Sequence, residues 1–327
     1  MSALESALAR SRLYTLFAHL YRAGLTPDLL PLLAQLPGLA EHLPHPFHAD
    51  EAAAEHYQIF GRAIPPHQSL FLDPSGLLGG AMAESVESSY RQLGFAPARG
   101  ATGPDEISEE LALLAFLAAA EADAWADGLK QEAERVHTLQ QGFLVDHLLR
   151  WIFPFALAVQ QENSSFFGAL AELTVELTVE QSRSLDFSGH RQPDFALPRP
   201  PEILQNQSSG LREIADYLTC PPLSGVYLSQ ESIRRVARSL GLPAGFGSRA
   251  ERLEGLLRSA AQYEQMGQLS EALHALWDGW HADYDGAIEN SPHLRAFIRP
   301  WQAQTGPARQ LLVALADASP EKRPLLA

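Results

Sequence analysis

Three carboxylates, Asp105, Glu106 and Glu109, stand together just after Pro104. Acids in that position can cap the orphan amides of a helix start and oppose the positive end of its dipole. They can equally pair with a guanidinium, best in bidentate geometry. Both roles are open to Asp105. Further on, Phe143, His147 and Trp151 recur every fourth residue, with Asp146 beside them. That spacing stacks side chains on one helix face. Such a stripe is either core with one satisfied histidine or the aromatic rim of a groove. Tyr57, Phe60 and Phe71 read the same way, core first and groove second.

Spacings that would carry catalysis are missing or incomplete. There is no G-x-G-x-x-G and no G-x-x-x-x-G-K-S/T, and the glycines between Gly76 and Gly80 lack the lysine of a phosphate cradle. Neither a G-x-S-x-G elbow nor an H-E-x-x-H pair is present. A di-iron bundle needs two Glu-x-x-His pairs and two more glutamates. Glu134-Arg135-Val136-His137 is a single pair and reads as a chance match. His42, His45 and His48 are spaced by three, but Pro44 and Pro46 exclude the helical register that would join them, so no metal is expected there. Cys220 is the one cysteine, which excludes an internal disulfide and any all-cysteine cluster. The residues thus predict no catalytic group, no cofactor and no enzyme.

The elements that would position these side chains are helical. Leu and Ala dominate the 327 residues, β-branched types are sparse, and the hydrophobic share is 46%, a balance that favours packed helix over disorder. Leu13, Leu16, Phe17, Leu20 and Tyr21 mark one buried face of a first helix. A second is expected from about Asp50 to Gly61, carrying Tyr57, Ile59 and Phe60. The loop Ile64 to Asp73 comes next, with two successive prolines but also Leu70, Phe71 and Leu72, and is expected to pack on the body. Another helix should run from Gly80 to Leu93, stopped by Gly94. Ile107, Leu111, Leu114, Ala118 and Trp125 then keep a four-three rhythm. After the turn Asp127-Gly128, a helix from Lys130 to Trp151 completes a hairpin, and Pro154 is expected to break or kink the segment after it.

Ser184 to Gly210 is rich in proline and glycine and poor in apolar periodicity, and it is the best linker candidate. Beyond it, Ser232–Leu240, Arg249–Gln265 and Ser270–Tyr284 are expected helices. Ala260 to Trp280 has a flavour of a tetratricopeptide pair, but no second copy stands at the repeat spacing of about 34 residues, so an ordinary hairpin is expected. The tail from Ser319 to Ala327 is expected to be loose.

Lys plus Arg number 24 against 39 Asp plus Glu, a net charge of −15 with neutral histidines. Such a surface repels phosphate backbones and attracts basic peptides, so no nucleic-acid partner is expected. The longest uncharged apolar run, Leu111–Ala120, is half of the about 20 residues that a membrane span needs. The opening residues carry Glu5, Arg10 and Arg12 and do not resemble a secretory signal. A cytoplasmic protein without stable membrane insertion is the expectation.

Several segments in order resemble the TorD/DmsD/NarJ family of redox-enzyme maturation chaperones. They are Glu55-His56-Tyr57-Gln58-Ile59-Phe60, Pro65-Pro66-His67-Gln68-Ser69-Leu70-Phe71, Tyr90 to Phe95, Pro104-Asp105-Glu106-Ile107, Glu110-Leu111, Leu114 to Leu117, and Phe143 to Leu148 with Trp151 beyond. The resemblance covers about residues 10–180. It implies an all-α fold, with a TorD/DmsD-like domain over 1–185, a linker over 186–210 and an additional helical C-terminal region over 211–327. It also implies binding without turnover. The partner would be the signal peptide, often a twin-arginine one, or the N-terminal segment of a molybdoenzyme catalytic subunit precursor, held for cofactor insertion. Where the family usually reads Pro-Asp-His, Glu106 takes the histidine's place. The resulting peptide-binding set is Asp105, Glu106, Glu109, His147, Trp151, Tyr57, Phe60 and Phe71. Residues 211–327 could bind the client, shield the groove or make a homodimer. The alternative is a helical adaptor that uses this C-terminal region and is unrelated to export.

Overall fold

Ser2 accepts a hydrogen bond from the Glu5 amide at 3.2 Å while its own amide donates to Glu5 Oε2 at 2.8 Å. This reciprocal cap satisfies two orphan donors and starts α1, Ala3–Ala23. Its inward face of Tyr14, Phe17, Leu20 and Tyr21 is buried, as the apolar spacing predicts. Each such side chain contributes about 1.5–3 kcal/mol of burial.

The structure is a computed structural model that describes residues 2–97, 103–183, 185, 194–206 and 209–318. They are all-α: no strand occurs among them, only an isolated bridge between His67 and Glu106. The chain forms two compact units, Met1–Pro193 and Asp194–Ala327.

In the first unit α1 is followed by short turns and then α2, Ala49–His56. The chain does not stop there but widens into a π-helical segment, Tyr57–Ala63, where the Ile64 amide reaches back five residues to Ile59 O at 2.7 Å. After the proline loop come a helical turn, Gln68–Leu72, and α3, Gly80–Gln92. Gly94, at φ 71°, terminates α3 in the left-handed region that glycine tolerates. The expected hairpin is present as α4, Ile107–Ala126, and α5, Lys130–Asp146, with α1 packed along α4.

At the end of α5 the structure departs from the sequence pattern. The helix expected to reach Trp151 ends at Asp146. His147 leaves helical geometry, at φ −128° and ψ −83°, and a 3₁₀ turn spans Leu148–Arg150. Pro154 breaks nothing, because it sits in the first turn of α6, Ile152–Gln160, where its missing amide hydrogen has no intrahelical partner anyway. α7, Ser165–Ser182, closes the unit.

The Glu134-x-x-His137 pair is absorbed by this packing. Glu134 pairs with Lys130, and His137 turns to Glu121, a buried acid of α4 that also takes Arg10 Nη2 at 2.6 Å and Gln140 Nε2 at 2.7 Å. Burial opposes the charge of Glu121, but the bonds from His137, Arg10 and Gln140 outweigh it and bring the carboxyl down to about 2. Among the described residues no group of three or more His, Cys, Asp or Glu is arranged to hold a metal.

The second unit contains α8, Leu211–Leu218, α9, Gln230–Ser239, α10, Arg249–Gln262, α11, Met266–Asn290, and α12, Arg295–Asp317. Three of these match the expected helices closely enough, although α11 runs well past both expected ends. α12 is not expected from the sequence, since it contains Pro300 and Pro307. α12 packs along α11, its Phe297, Ile298, Trp301, Leu311 and Leu312 are buried, and that burial offsets the lost backbone bonds. The expected linker, 186–210, falls partly outside the described residues. Of its described part, Phe195 stacks on Phe297 and Pro198 O accepts from Gln304 Nε2 at 2.6 Å. The tail expectation, 319–327, lies outside the described residues.

Candidate functional site

Two loops of the first unit clasp each other. The Gln68 amide donates to Asp105 O at 2.8 Å, and the Ile107 amide donates to Pro66 O at 2.9 Å. Asp105 Oδ2 accepts from the Ser69 amide at 2.9 Å, and His67 Nδ1 lies 3.4 Å from Asp105 Oδ1. Asp105 therefore caps the neighbouring turn Gln68–Leu72 and not its own helix, whose N-cap is Glu106 without a side-chain capping bond. Burial works against the Asp105 charge, but the bonds from His67 and Ser69 prevail, and the carboxyl titrates below its ordinary range. Tyr90 fastens the clasp from α3 by donating to Pro104 O at 2.7 Å.

A cleft of about 570 Å³ opens against this clasp. The π-helical segment contributes Tyr57 and Phe60 to its lining, and the clasped loops contribute His67, Asp105 and Glu106, with Arg22, His56 and Leu78 lining it as well. The wider π turn splits the two aromatics: Phe60 is buried against Tyr21, Phe155 and Phe167, whereas Tyr57 is 63% exposed. The Tyr57 ring lies across Gly61, so near that a Cβ there would come within 2.5 Å of it. π-helical turns of this kind recur at functional sites.

Of the expected set, Asp105, Glu106, Tyr57 and Phe60 line this cleft together; Glu109, His147, Trp151 and Phe71 do not. Glu109 is fully buried and bonded to Arg22 from α1. Phe71, Trp151 and Phe155 pack against one another at tilted and edge-on angles inside the unit, with Phe71–Trp151 centroids 5.6 Å apart. His147 is buried beneath α3, its Nε2 2.8 Å from Ser89 Oγ, and burial with nearby Arg150 pushes its pKa down to about 4. It is neutral at physiological pH.

Three site residues carry no distinct signal in the sequence. His67 stands out there only as part of the proline loop, yet it is the histidine that faces Asp105. Arg22 comes after the buried face of α1 with no local signal. Glu110 reads as one more helix-start acid. It is instead fully buried, accepts from Trp151 Nε1 at 3.4 Å, and has no partner on Oε1. Burial, helped by the charge of Asp105, raises its pKa well above the ordinary carboxylate range.

Residues 27–157 match the family described as nitrate reductase delta subunit, a stretch short of half the chain that lies wholly in the first unit. That stretch is therefore similar to the NarJ/TorD type, a family of chaperones for molybdoenzyme maturation whose members act with molybdoenzyme catalytic subunits and are not catalysts. No curated protein and no solved structure gives a match. No single helix among the described residues is long and apolar enough to cross a membrane. The one bent pair that passes by length and composition, Lys130–Arg150 with Ile152–Gln160, buries Leu148, Leu149, Trp151, Ile152 and Phe155 inside the unit.

Proposed function

We propose that this chain binds the signal peptide or N-terminal segment of a molybdopterin-dependent oxidoreductase catalytic subunit. It holds that precursor in the cytoplasm for cofactor insertion, before assembly or twin-arginine export. The observation that carries the reading is the cleft, which Tyr57, Phe60, Asp105 and Glu106 line together within the family-matched region. A basic signal followed by an apolar stretch has the complementary order of charge and grease. Carboxylates take guanidinium groups as charge-assisted bonds, and aromatic walls take the apolar side chains. Because Glu109 already holds Arg22 and Asp105 is engaged with Ser69 and His67, the client-facing acid in this reading is Glu106, with Asp105 holding the wall that carries it. Phe71 and Trp151 support the wall from behind.

The affinity of a releasable client is around micromolar, about −8 kcal/mol. The test is calorimetry with a synthetic peptide bearing two consecutive arginines and an apolar stretch. Combining Glu106→Gln with Tyr57→Ala weakens binding by about tenfold or more, about 1.4 kcal/mol, and Glu106→Gln alone flattens the salt dependence. Unchanged affinity in the double variant refutes the cleft as the client site.

A further inference from the structure

We propose that the loop 73–79 is a second part of the client site: its Leu77 and Leu78 take the apolar stretch that follows the basic residues of the bound peptide. The inference rests on the cleft reading above and names the residues that select the apolar half of the client. The loop joins the turn Gln68–Leu72 to α3.

Exposure marks these leucines. Among the described residues of the first unit, Leu77 at 70% and Tyr57 at 63% are the two most exposed large apolar side chains, and Leu78 is exposed as well. Single apolar residues scattered over a surface need no explanation, whereas adjoining ones mark an interaction surface. Tyr57 and Leu78 line the same cleft, and Leu77 is the neighbour of Leu78 in the chain. The exposed apolar surface therefore meets the cleft that Glu106 also lines.

The loop holds its shape before a client arrives. Asp73 Oδ1 accepts from the Ser75 amide at 2.8 Å, Asp73 O from the Gly76 amide at 3.1 Å, and Ser75 Oγ from the Leu77 amide at 3.3 Å. Gly76 and Gly79, at φ 67° and 90°, supply bends that other residues adopt only with strain. The Gly79 amide donates to Ser69 Oγ at 3.0 Å, and the amide of that same Ser69 is held by Asp105. The leucine pair is thus tied to the clasp beside Glu106, and a surface ordered in advance spares the entropy of ordering on binding.

One occupant fits. A cleft of about 570 Å³ takes only a few side chains, so a longer apolar stretch continues past it. A partner that offers positive charge to Glu106 and apolar side chains to Leu77 and Leu78 has the order of the peptide proposed above. The net charge of −15 disfavours an anionic membrane surface and a second copy of this chain alike, since both repel it.

The test is calorimetry on the full chain with two synthetic peptides that each begin with two consecutive arginines. One continues with leucine and alanine, the other with glycine and serine over the same length. The wild-type chain is expected to bind the apolar peptide about tenfold tighter or more, with a negative heat-capacity change. Combining Leu77→Asn with Leu78→Asn brings that preference below about threefold and shrinks the heat-capacity change. Leu77→Asn alone, at a side chain outside the cleft lining, lowers the preference about twofold to threefold. Leu129→Asn, at an exposed leucine that does not line the cleft, leaves the preference intact. An undiminished preference in both loop variants, or an equal loss in Leu129→Asn, overturns the inference and leaves the cleft reading standing. A wild-type chain that binds neither peptide overturns both. Sedimentation velocity covers the remaining occupant: self-association that the loop substitutions abolish, with the peptide preference unchanged, assigns the leucines to a second copy and overturns the inference.

Discussion

Replacing Asp105 by alanine should open the clasp between the two loops that form the polar wall of the cleft. The side chain is 1% exposed and accepts the amide of Ser69, itself fully buried, at 2.9 Å. Without the carboxylate that amide is left unsatisfied, which costs about 1–3 kcal/mol. His67 loses its charged neighbour as well, so a total of about 2–4 kcal/mol is expected for Asp105→Ala. Asp105→Asn keeps an acceptor for Ser69 and should cost about 1 kcal/mol. The assay is hydrogen exchange at the amides of Gln68 and Ile107, which bond across the clasp to Asp105 O and Pro66 O and do not touch the substituted side chain. A local loss of about 2 kcal/mol speeds their exchange about thirtyfold. The pH dependence has a defined sign. The folded-state pKa of Asp105 is lowered, so its stabilisation is present above the unfolded value of about 3.9 and is lost as pH falls through the lower folded value. Wild type and Asp105→Asn should therefore differ near neutral pH and converge below about pH 3.9. Less than a twofold change at Gln68 and Ile107 in Asp105→Ala would show that the carboxylate does not hold the wall, and the reasoning would fail.

Three further outcomes are expected. Glu110→Gln should stabilise the protein, by on the order of 1–3 kcal/mol at neutral pH. The raised pKa of Glu110 means that its ionisation costs nothing below the unfolded value of about 4.3 and increasingly more as pH climbs towards the folded one, so urea titrations at several pH values should show the gain growing with pH. Arg22→Gln leaves Glu109 buried without its guanidinium; with Arg22 40% exposed and partly screened, a loss of about 1–3 kcal/mol is expected in the same titrations. Gly61→Ala should push the Tyr57 ring off the cleft wall and weaken the arginine-bearing peptide about as much as Tyr57→Ala does. Calorimetry in the Tyr57→Ala background should then find Gly61→Ala silent, and additive losses would refute the coupling.

What the sequence by itself determined is the local and periodic content. The buried face of α1, the Gly94 stop, the α4–α5 hairpin and most of the α9–α11 pattern are legible because apolar spacing, turn residues and glycine act within a few residues of chain. The family resemblance is legible for the same reason, as short ordered motifs. Tertiary structure alone decided which of several similar acids faces what. Asp105, Glu106, Glu109 and Glu110 are neighbours in one helix start, yet they end respectively as a clasp for Ser69, a cleft lining residue, the partner of Arg22 and a buried carboxyl against Trp151. Successive helix positions point in directions about 100° apart, so each meets a different element, and those elements arrive from tens of residues away. The early end of α5 at Asp146, the wide turn that exposes Tyr57 while burying Phe60, and the proline-bearing α12 belong to the same category. Each is set by the elements packed against it, and burial there outweighs the preferences written along the chain.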